Sequence, residues 1–234
     1  MNSIYLFPPS PVPTVPIKGG EQVFPVNRIF CVGRNYAEHA REMGGQPDKE
    51  EPFYFTKSPS AIVPSGASVS YPPETENYHY EIELVAAIGK PVFQAAPNDA
   101  LDAVFGYACG LDMTRRDLQF RVREKQRPWD VAKDFEQSAV ISPIVPSAVC
   151  GHLTHGKIEL RVNGETRQKA DLSDLINSVQ ELIVDLSRYY HLVPGDLIYT
   201  GTPAGVGPVV PGDHLIGSIA GLGEIELTVG KPHT

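Results

Sequence analysis

The stretch YHYEIELVAAIGK, residues 78–90, places two acidic side chains inside an otherwise apolar run. Side chains alternate between the two faces of a β-strand, so a continuous strand would set His79, Glu81 and Glu83 on one face. Like charges that lie side by side on a sheet repel each other. The pattern therefore predicts either a face screened by water or a face on which a positive charge sits.

A second apolar run, VFGYACGLDMT at 104–114, ends near another acidic residue, Asp112. Such a run predicts a strand buried on both faces. A buried carboxylate is costly unless it is paired or bound to a metal. Glu81, Glu83 and Asp112, without a CxxC or HxxxH pattern, favour a hard cation such as Mg²⁺ or Mn²⁺. The alternative is a solvated strand face plus a turn aspartate, and the similar GEIEL segment at 223–227 is interpreted as surface.

The composition bounds the class of protein. The chain has 234 residues and a formal net charge of −8, which argues against nucleic acid and anionic membranes as partners. No apolar run approaches the roughly 20 residues that span a bilayer. The Pro-broken start without a basic region predicts no signal peptide. Three widely spaced cysteines predict unpaired thiols, so we expect a cytoplasmic protein.

Frequent Pro and Gly between β-branched residues predict a mainly β protein with a few short helices. We expect a Pro-rich arm or small hairpin at 1–26 and one β-rich domain at 27–234. The pair Asn163-Gly164 predicts a type I′ hairpin. Ser178 and Glu181 predict a capping box at the start of a helix.

The segment NYAEHAREMGG at 35–45 predicts a helix with Asn35 as N-cap and a stop at Gly44-Gly45. His39 and Glu42 are neighbours on this helix. A Glu bonded to an imidazole raises its basicity and fixes its tautomer, as a base that activates water requires. A surface histidine with a helical salt partner is the alternative.

Three cations, Arg115, Arg116 and Lys133, follow the second apolar run and either line a pocket or lie on the surface. The loop TGTPAGVG at 200–207 could wrap backbone N–H groups around an anion. It lacks the GK[ST] ending of a phosphate loop, which argues against nucleotide binding as its role. Tight turns alone would also explain its composition.

The order of these segments resembles the fumarylacetoacetate hydrolase family from about residue 27 to 230. The matching motifs are CVGRNYAEHAREM, YEIEL, GYACGLDMTRRD, WDVAKDF, NGETRQ and PGDLIYTGTPAGVGP. The short chain is similar to the acylpyruvase and fumarylpyruvate hydrolase branch. The resemblance implies an α+β, mainly β fold: a mixed β-sandwich roll of the family's C-terminal domain type, with 27–234 as the catalytic domain. It also implies a homodimer.

The resemblance further implies a role for individual residues. The expected Mg²⁺ or Mn²⁺ ligands are Glu81, Glu83 and Asp112; the expected catalytic residues are His39, Glu42 and Lys133; the expected substrate-binding residues are Arg34, Arg116, Gln119 and Thr202. His39 and Glu42 would lie on a segment that orders over the substrate. The role of Arg115 is open.

The implied reaction is metal-dependent hydrolysis of the C–C bond of a 2,4-dioxo acid, with 3-fumarylpyruvate cleaved to fumarate and pyruvate in the degradation of aromatic compounds. Two alternatives use the same site: decarboxylation of oxaloacetate, and decarboxylation or isomerisation of ring-opened catechol products. A third is a non-enzymatic binding module with solvated carboxylates. In the enzymatic cases the partner is a small molecule, with no nucleic acid and no membrane.

Overall fold

The structure, a computed structural model, describes residues 5–44 and 51–232. Within these ranges strands predominate and helices are short. The strands are β1 Thr14–Pro16, β2 Val23–Pro25, β3 Arg28–Gly33, β4 Phe53–Lys57, β5 Ile62–Pro64, β6 Ala67–Ser70, β7 Tyr78–Tyr80, β8 Ile82–Ile88, β9 Val104–Asp112, β10 Thr114–Arg115, β11 Ala139–Ile141, β12 Val145–Pro146, β13 Lys157–Val162, β14 Glu165–Asp171, β15 Asp196–Tyr199, β16 Gly207–Val209, β17 His214–Ile219 and β18 Gly223–Gly230. The helices are α1 Ala37–Glu42, α2 Pro97–Ala100, α3 Arg116–Glu124, α4 Asp130–Lys133, α5 Ser147–Cys150 and α6 Val179–Tyr189.

Two large curled sheets form the body of the described chain. The eight-stranded sheet runs β4-β3-β15-β8-β9-β11-β5, with β12 paired to β9. The five-stranded sheet runs β14-β13-β17-β18-β6, and a small sheet joins β10, β7 and β16. The pairs β3–β15, β5–β11 and β6–β18 are parallel and the others antiparallel. This mixed, mainly β roll with short helices confirms the predicted fold class.

Strand β8 lies between two hydrophobic cores, which explains its unbroken apolar sequence. Leu84 and Ala86 point into one core, together with the five-stranded sheet and α6. Val85 and Ala87 point into the other, which also contains Val15 and Phe24 of the hairpin β1–β2. The hairpin thus packs on the main sheet. The division of the chain at residue 27 stays a prediction.

Several local predictions are confirmed. Asn163 and Gly164 both have positive φ, 51° and 85°, as a type I′ turn requires. The Ser178–Glu181 capping box starts α6. The strand at 104–114 is buried on both faces as β9, and the cysteines are unpaired.

Two local predictions are wrong. Asn35 does not cap α1, because its amide bridges Thr200 O and Asn177, at 2.8 Å each; Tyr36 precedes the helix instead. The stretch 78–90 is not one strand, because it passes from the small sheet to the large one at Glu81. Gly45, part of the predicted helix stop, lies outside the described residues. No helix in the described part of the chain has the length and apolarity to cross a membrane.

The pairing of β9 with β12 depends on a glycine. A Cβ on Gly106 would lie 2.4 Å from Val145 O, a backbone atom that cannot turn away. We expect Gly106→Ala to lower the free energy of unfolding by about 1–3 kcal/mol through overpacking. Gly20→Ala is the matched control, since the nearest atom to its Cβ is 3.9 Å away. Urea denaturation measures both, and equal stabilities would contradict the packing argument.

Candidate metal centre and active site

The break in the opening stretch brings three acidic side chains together. Glu81 stands between β7 and β8, Glu83 is the second residue of β8, and Asp112 ends the neighbouring strand β9. The Asp112 amide donates to Glu81 O at 2.9 Å, which fixes the two segments side by side. Oxygen atoms of the three carboxylates lie within 4.8 Å of one another, and all three residues are buried.

A buried glutamine holds the chain at this break. Gln168 Oε1 accepts from the Ile82 amide at 3.1 Å, in place of a neighbouring strand. Its amide nitrogen donates to Thr202 Oγ1 at 2.8 Å and to Pro203 O at 2.7 Å. Gln168 therefore ties the loop at 200–207 to the strand that carries Glu81 and Glu83. Its position in the hairpin β13–β14 gave no sequence signal for this role.

Two of the predicted cations neutralise part of the cluster. Lys133 Nζ donates to Glu81 Oε2 at 2.8 Å, Asp112 Oδ2 at 2.6 Å and Thr114 Oγ1 at 2.7 Å, which uses all three ammonium hydrogens. Arg116 donates to Glu81 Oε1 and to the side-chain oxygen of Gln119, Oε1. Burial alone would raise the pKa of Glu81, but Lys133 and Arg116 lower it well below its usual range.

A third cation, Lys57, was missed by the sequence analysis. Its ammonium is fully buried and lies 2.9 Å from Asp112 Oδ1, as an ion pair whose angles are not those of a hydrogen bond. It donates to the backbone carbonyl oxygens of Met113, at 3.2 Å, and of Lys133. The available signal was a charged residue that ends an apolar strand, the same signal that marked Asp112.

Glu83 has no ion pair with a cation among the residues that the structure describes. Its carboxylate accepts a hydrogen bond from the Gly201 amide at 2.7 Å. Burial, and then the charges of Asp112 and Glu81, raise the pKa of Glu83 well above its usual range. A divalent cation bound by the three carboxylates would relieve this repulsion and satisfy Asp112 Oδ1. The oxygen-only donor set is the one that Mg²⁺ and Mn²⁺ prefer.

The predicted histidine–glutamate pair is present on α1. His39 Nδ1 lies 3.0 Å from Glu42 Oε2, and the Gly205 amide donates to the same carboxylate at 3.1 Å. Gly205 has φ +96°, and a Cβ there would lie 2.1 Å from Arg167 O, so glycine is required to present this N–H. Burial raises the pKa of Glu42, but the His39 and Gly205 hydrogen bonds lower it below its usual range.

Glu81, Glu83, Lys133, Arg116 and His39 face one pocket with about 430 Å³ of empty space, counted out to its open mouth. Its lining residues are Val32, Gly33, Arg34, His39, Met43, Phe55, Glu81, Glu83, Arg116, Gln119, Arg123, Trp129, Lys133 and Thr202. Trp129 packs edge-on against Phe53 at 5.4 Å and forms an aromatic wall with Phe55.

The structure therefore brings all ten predicted site residues to one place. Eight line the pocket, while Glu42 and Asp112 bond to residues that do. Their individual roles stay predictions. Arg115 does not line the pocket; its guanidinium stacks on the Phe135 ring at 4.3 Å. Four further residues at the site were not predicted from the sequence: Lys57, Gln168, Arg123 and Trp129.

A β-roll with an oxygen-donor acidic cluster beneath a polar pocket defines a class of candidate metal-dependent enzymes. The chain belongs to the fumarylacetoacetate hydrolase family, because residues 28–230 match the family described as "Fumarylacetoacetate (FAA) hydrolase C-terminal". It is 57% identical over 190 residues to a protein from Ralstonia sp named fumarylpyruvate hydrolase, covering 80% of this chain and 98% of that protein.

Two further relatives are informative. The crystal structure of fumarylpyruvate hydrolase from Pseudomonas aeruginosa in complex with Mn²⁺ and pyruvate matches with a TM-score of 0.95 and 51% identity, over 97% of this chain and 100% of that one. The human protein named oxaloacetate tautomerase FAHD1, mitochondrial, is 41% identical over 204 residues, covering 87% of this chain and 92% of that protein.

The acidic cluster can be tested by metal binding alone. We expect Glu83→Gln to weaken Mn²⁺ binding more than about 100-fold, beyond the 10–100-fold typical of losing a group that only supports a ligand. Glu224→Gln is the matched control, because it changes the exposed copy of the same ExE pattern in β18. Titration calorimetry on both variants measures the effect, and undiminished binding by Glu83→Gln would remove Glu83 from the ligand set.

Proposed function

We propose that the protein is a metal-dependent hydrolase that cleaves the C3–C4 bond of a 2,4-dioxo acid. Its preferred substrate is 3-fumarylpyruvate, and the products are fumarate and pyruvate. The observation that carries the proposal is that the buried carboxylate cluster and the His39–Glu42 pair meet at one pocket, which Glu81, Glu83 and His39 line. The names of the Ralstonia and Pseudomonas relatives support the same substrate.

Glu81, Glu83 and Asp112 would hold the ion, Mg²⁺ or Mn²⁺. When bound, the ion supplies Lewis-acid stabilisation of the negative charge that develops on the pyruvate half of the substrate. The complex of the Pseudomonas relative with Mn²⁺ and pyruvate supports this assignment of ion and product. Lys57, Lys133 and Arg116 balance the formal charge of the three carboxylates, so a bound divalent ion would give the site a net positive charge that favours a dianionic substrate.

His39 is the proposed base. Because its Nδ1 faces Glu42 at 3.0 Å, Nε2 is the nitrogen left to accept a proton from water. His39 is 6% exposed and lines the pocket, so its contact with solvent is confined to a small part of the residue. The hydroxide attacks the C4 carbonyl, the C3–C4 bond breaks, and its electrons leave as the pyruvate enolate. The proton held on Nε2 can then return to C3.

The oxyanion at C4 needs a donor. Lys133 is the proposed group, but its ammonium hydrogens all go to Glu81, Asp112 and Thr114 here, so one bond must be exchanged. Gln119 is a second donor, because its carbonyl oxygen accepts from Arg116 and leaves its NH₂ for a substrate oxygen. Thr202 and Arg34 line the same pocket and would bind the substrate.

We further propose a homodimer that works in the cytoplasm in the degradation of aromatic compounds. The buried, unpaired thiols of Cys31 and Cys109 suit a reducing compartment. The exposed apolar side chains of Leu6 and Phe7, 96% and 73% accessible, suit burial against a second chain.

The two parts of the site should separate in mutants. We expect Glu81→Ala to lose Mn²⁺ binding and pyruvate formation together. We expect His39→Ala to bind Mn²⁺ like the wild type and to lose pyruvate formation by about 100-fold or more, as removal of a general base implies. Calorimetry and a coupled pyruvate assay with 3-fumarylpyruvate measure both. Full hydrolysis by His39→Ala would eliminate the proposed base.

The second candidate function is chemistry on oxaloacetate at the same site, as decarboxylase or tautomerase. The similarity to the protein named oxaloacetate tautomerase favours it. Neither reaction consumes water, so neither needs a base that activates water. Because the site has such a candidate base in the His39–Glu42 pair, we expect the wild type to have a higher kcat/KM for 3-fumarylpyruvate than for oxaloacetate. Parallel assays of pyruvate release and of the enol absorbance of oxaloacetate decide between them. Greater efficiency on oxaloacetate, with no cleavage of fumarylpyruvate, would overturn the hydrolase proposal.

A further inference from the structure

Helix α3 presents three polar side chains to the pocket on one face. Arg116, Gln119 and Arg123 are spaced i, i+3 and i+7 and all line it. The rise of 1.5 Å per residue separates the Cα atoms of Arg116 and Arg123 by about 10.5 Å. The face therefore extends from the acidic cluster, where Arg116 bonds to Glu81, toward the half-buried Arg123.

Arg123 differs from Arg116 and Lys133 in what it bonds to. Arg116 and Lys133 are committed to the acidic cluster. Arg123 donates one N–H to Met43 O at 3.2 Å, just past the end of α1, and among the described residues it forms no ion pair with a carboxylate. A guanidinium has five N–H donors, so most N–H groups of Arg123 are available to a ligand.

The position of Arg123 suits the far end of the proposed substrate. Met43, whose carbonyl oxygen accepts a hydrogen bond from Arg123, also lines the pocket. Its apolar side chain would strengthen a charge pair formed by Arg123. The two carboxylates of 3-fumarylpyruvate stand at opposite ends of the molecule. If the pyruvate end lies at the acidic cluster, the fumaryl carboxylate extends away from it, in the direction of the α3 face.

We propose that Arg123 binds the distal carboxylate of the acyl group and makes the pocket selective for acylpyruvates that carry a second carboxylate. This inference rests on the proposed function. The guanidinium fork matches a carboxylate in two parallel hydrogen bonds. The bond to Met43 O aims the fork and also joins α3 to the end of the helix that carries His39.

The test compares two substrates that differ only at the far end: 3-fumarylpyruvate, and 3-crotonylpyruvate, in which a methyl group replaces the distal carboxylate. We expect Arg123→Gln to lower the ratio of their kcat/KM values at least about tenfold, as loss of a charge-assisted hydrogen bond implies. Arg123→Lys should keep part of the ratio, because it keeps the charge without the fork. Arg121→Gln, an exposed residue of the same helix, is the control and should keep the ratio.

The outcomes separate this inference from the proposed function. Equal losses of kcat/KM on both substrates would mean that Arg123 only holds Met43. That result would overturn the inference and leave the proposed hydrolase function intact. A fall in the ratio for Arg34→Gln but not Arg123→Gln would also overturn it. If the wild type cleaves neither substrate, the proposed function fails. The inference about Arg123 is then tested by the binding of fumarate and of crotonate to the Mn²⁺-loaded protein. Arg123 is then supported only if fumarate binds more tightly than crotonate and Arg123→Gln abolishes the difference.

Discussion

The burial of three carboxylates within 4.8 Å of one another is the constraint on which the rest of the site depends. Lys57, Lys133 and Arg116 equal them in formal charge, yet all three cations lie against Glu81 or Asp112. Glu83 is left with a backbone amide and two like-charged neighbours, so its proton affinity rises. The positive and negative charges are therefore equal in number but unevenly placed. Among the described residues, no cation forms an ion pair with Glu83.

The fold supports this costly cluster by burying the strands that carry it. Strand β8 is packed on both faces, so Glu83 cannot turn toward solvent without displacing Val85 or Leu84 from a core. Gln168 satisfies the backbone where the chain changes sheets, and it also holds Thr202 and Pro203. Stability elsewhere in the two cores offsets the electrostatic cost at one end of β8 and β9.

Prediction from the sequence succeeded where the signal was local. The buried strand at 104–112, the capping box of α6 and the hairpin turn at Asn163-Gly164 all follow from short-range patterns. It failed where a distant partner outcompeted the local preference. Asn35 would be a good N-cap, but its amide is used across the fold by Asn177 and Thr200. The break at Glu81 depends on Gln168, a partner that no local pattern at 78–90 reveals.

The candidate site divides into a fixed part and a part carried by α1. Charge stabilisation at the acidic cluster serves hydrolysis, decarboxylation and tautomerisation alike, since each passes through an enolate. Activation of water is needed for hydrolysis alone, and His39 is the residue that we propose for it. That residue is held by Glu42, and Glu42 is held by the Gly205 amide of the same loop that Gln168 ties to the acidic cluster. The position of the proposed base is thus coupled through the loop at 200–207 to the carboxylates. Because the Gly201 amide of that loop bonds to Glu83, a change of the loop would disturb both parts of the site. A change confined to α1 would alter the choice among these reactions and leave the acidic cluster intact.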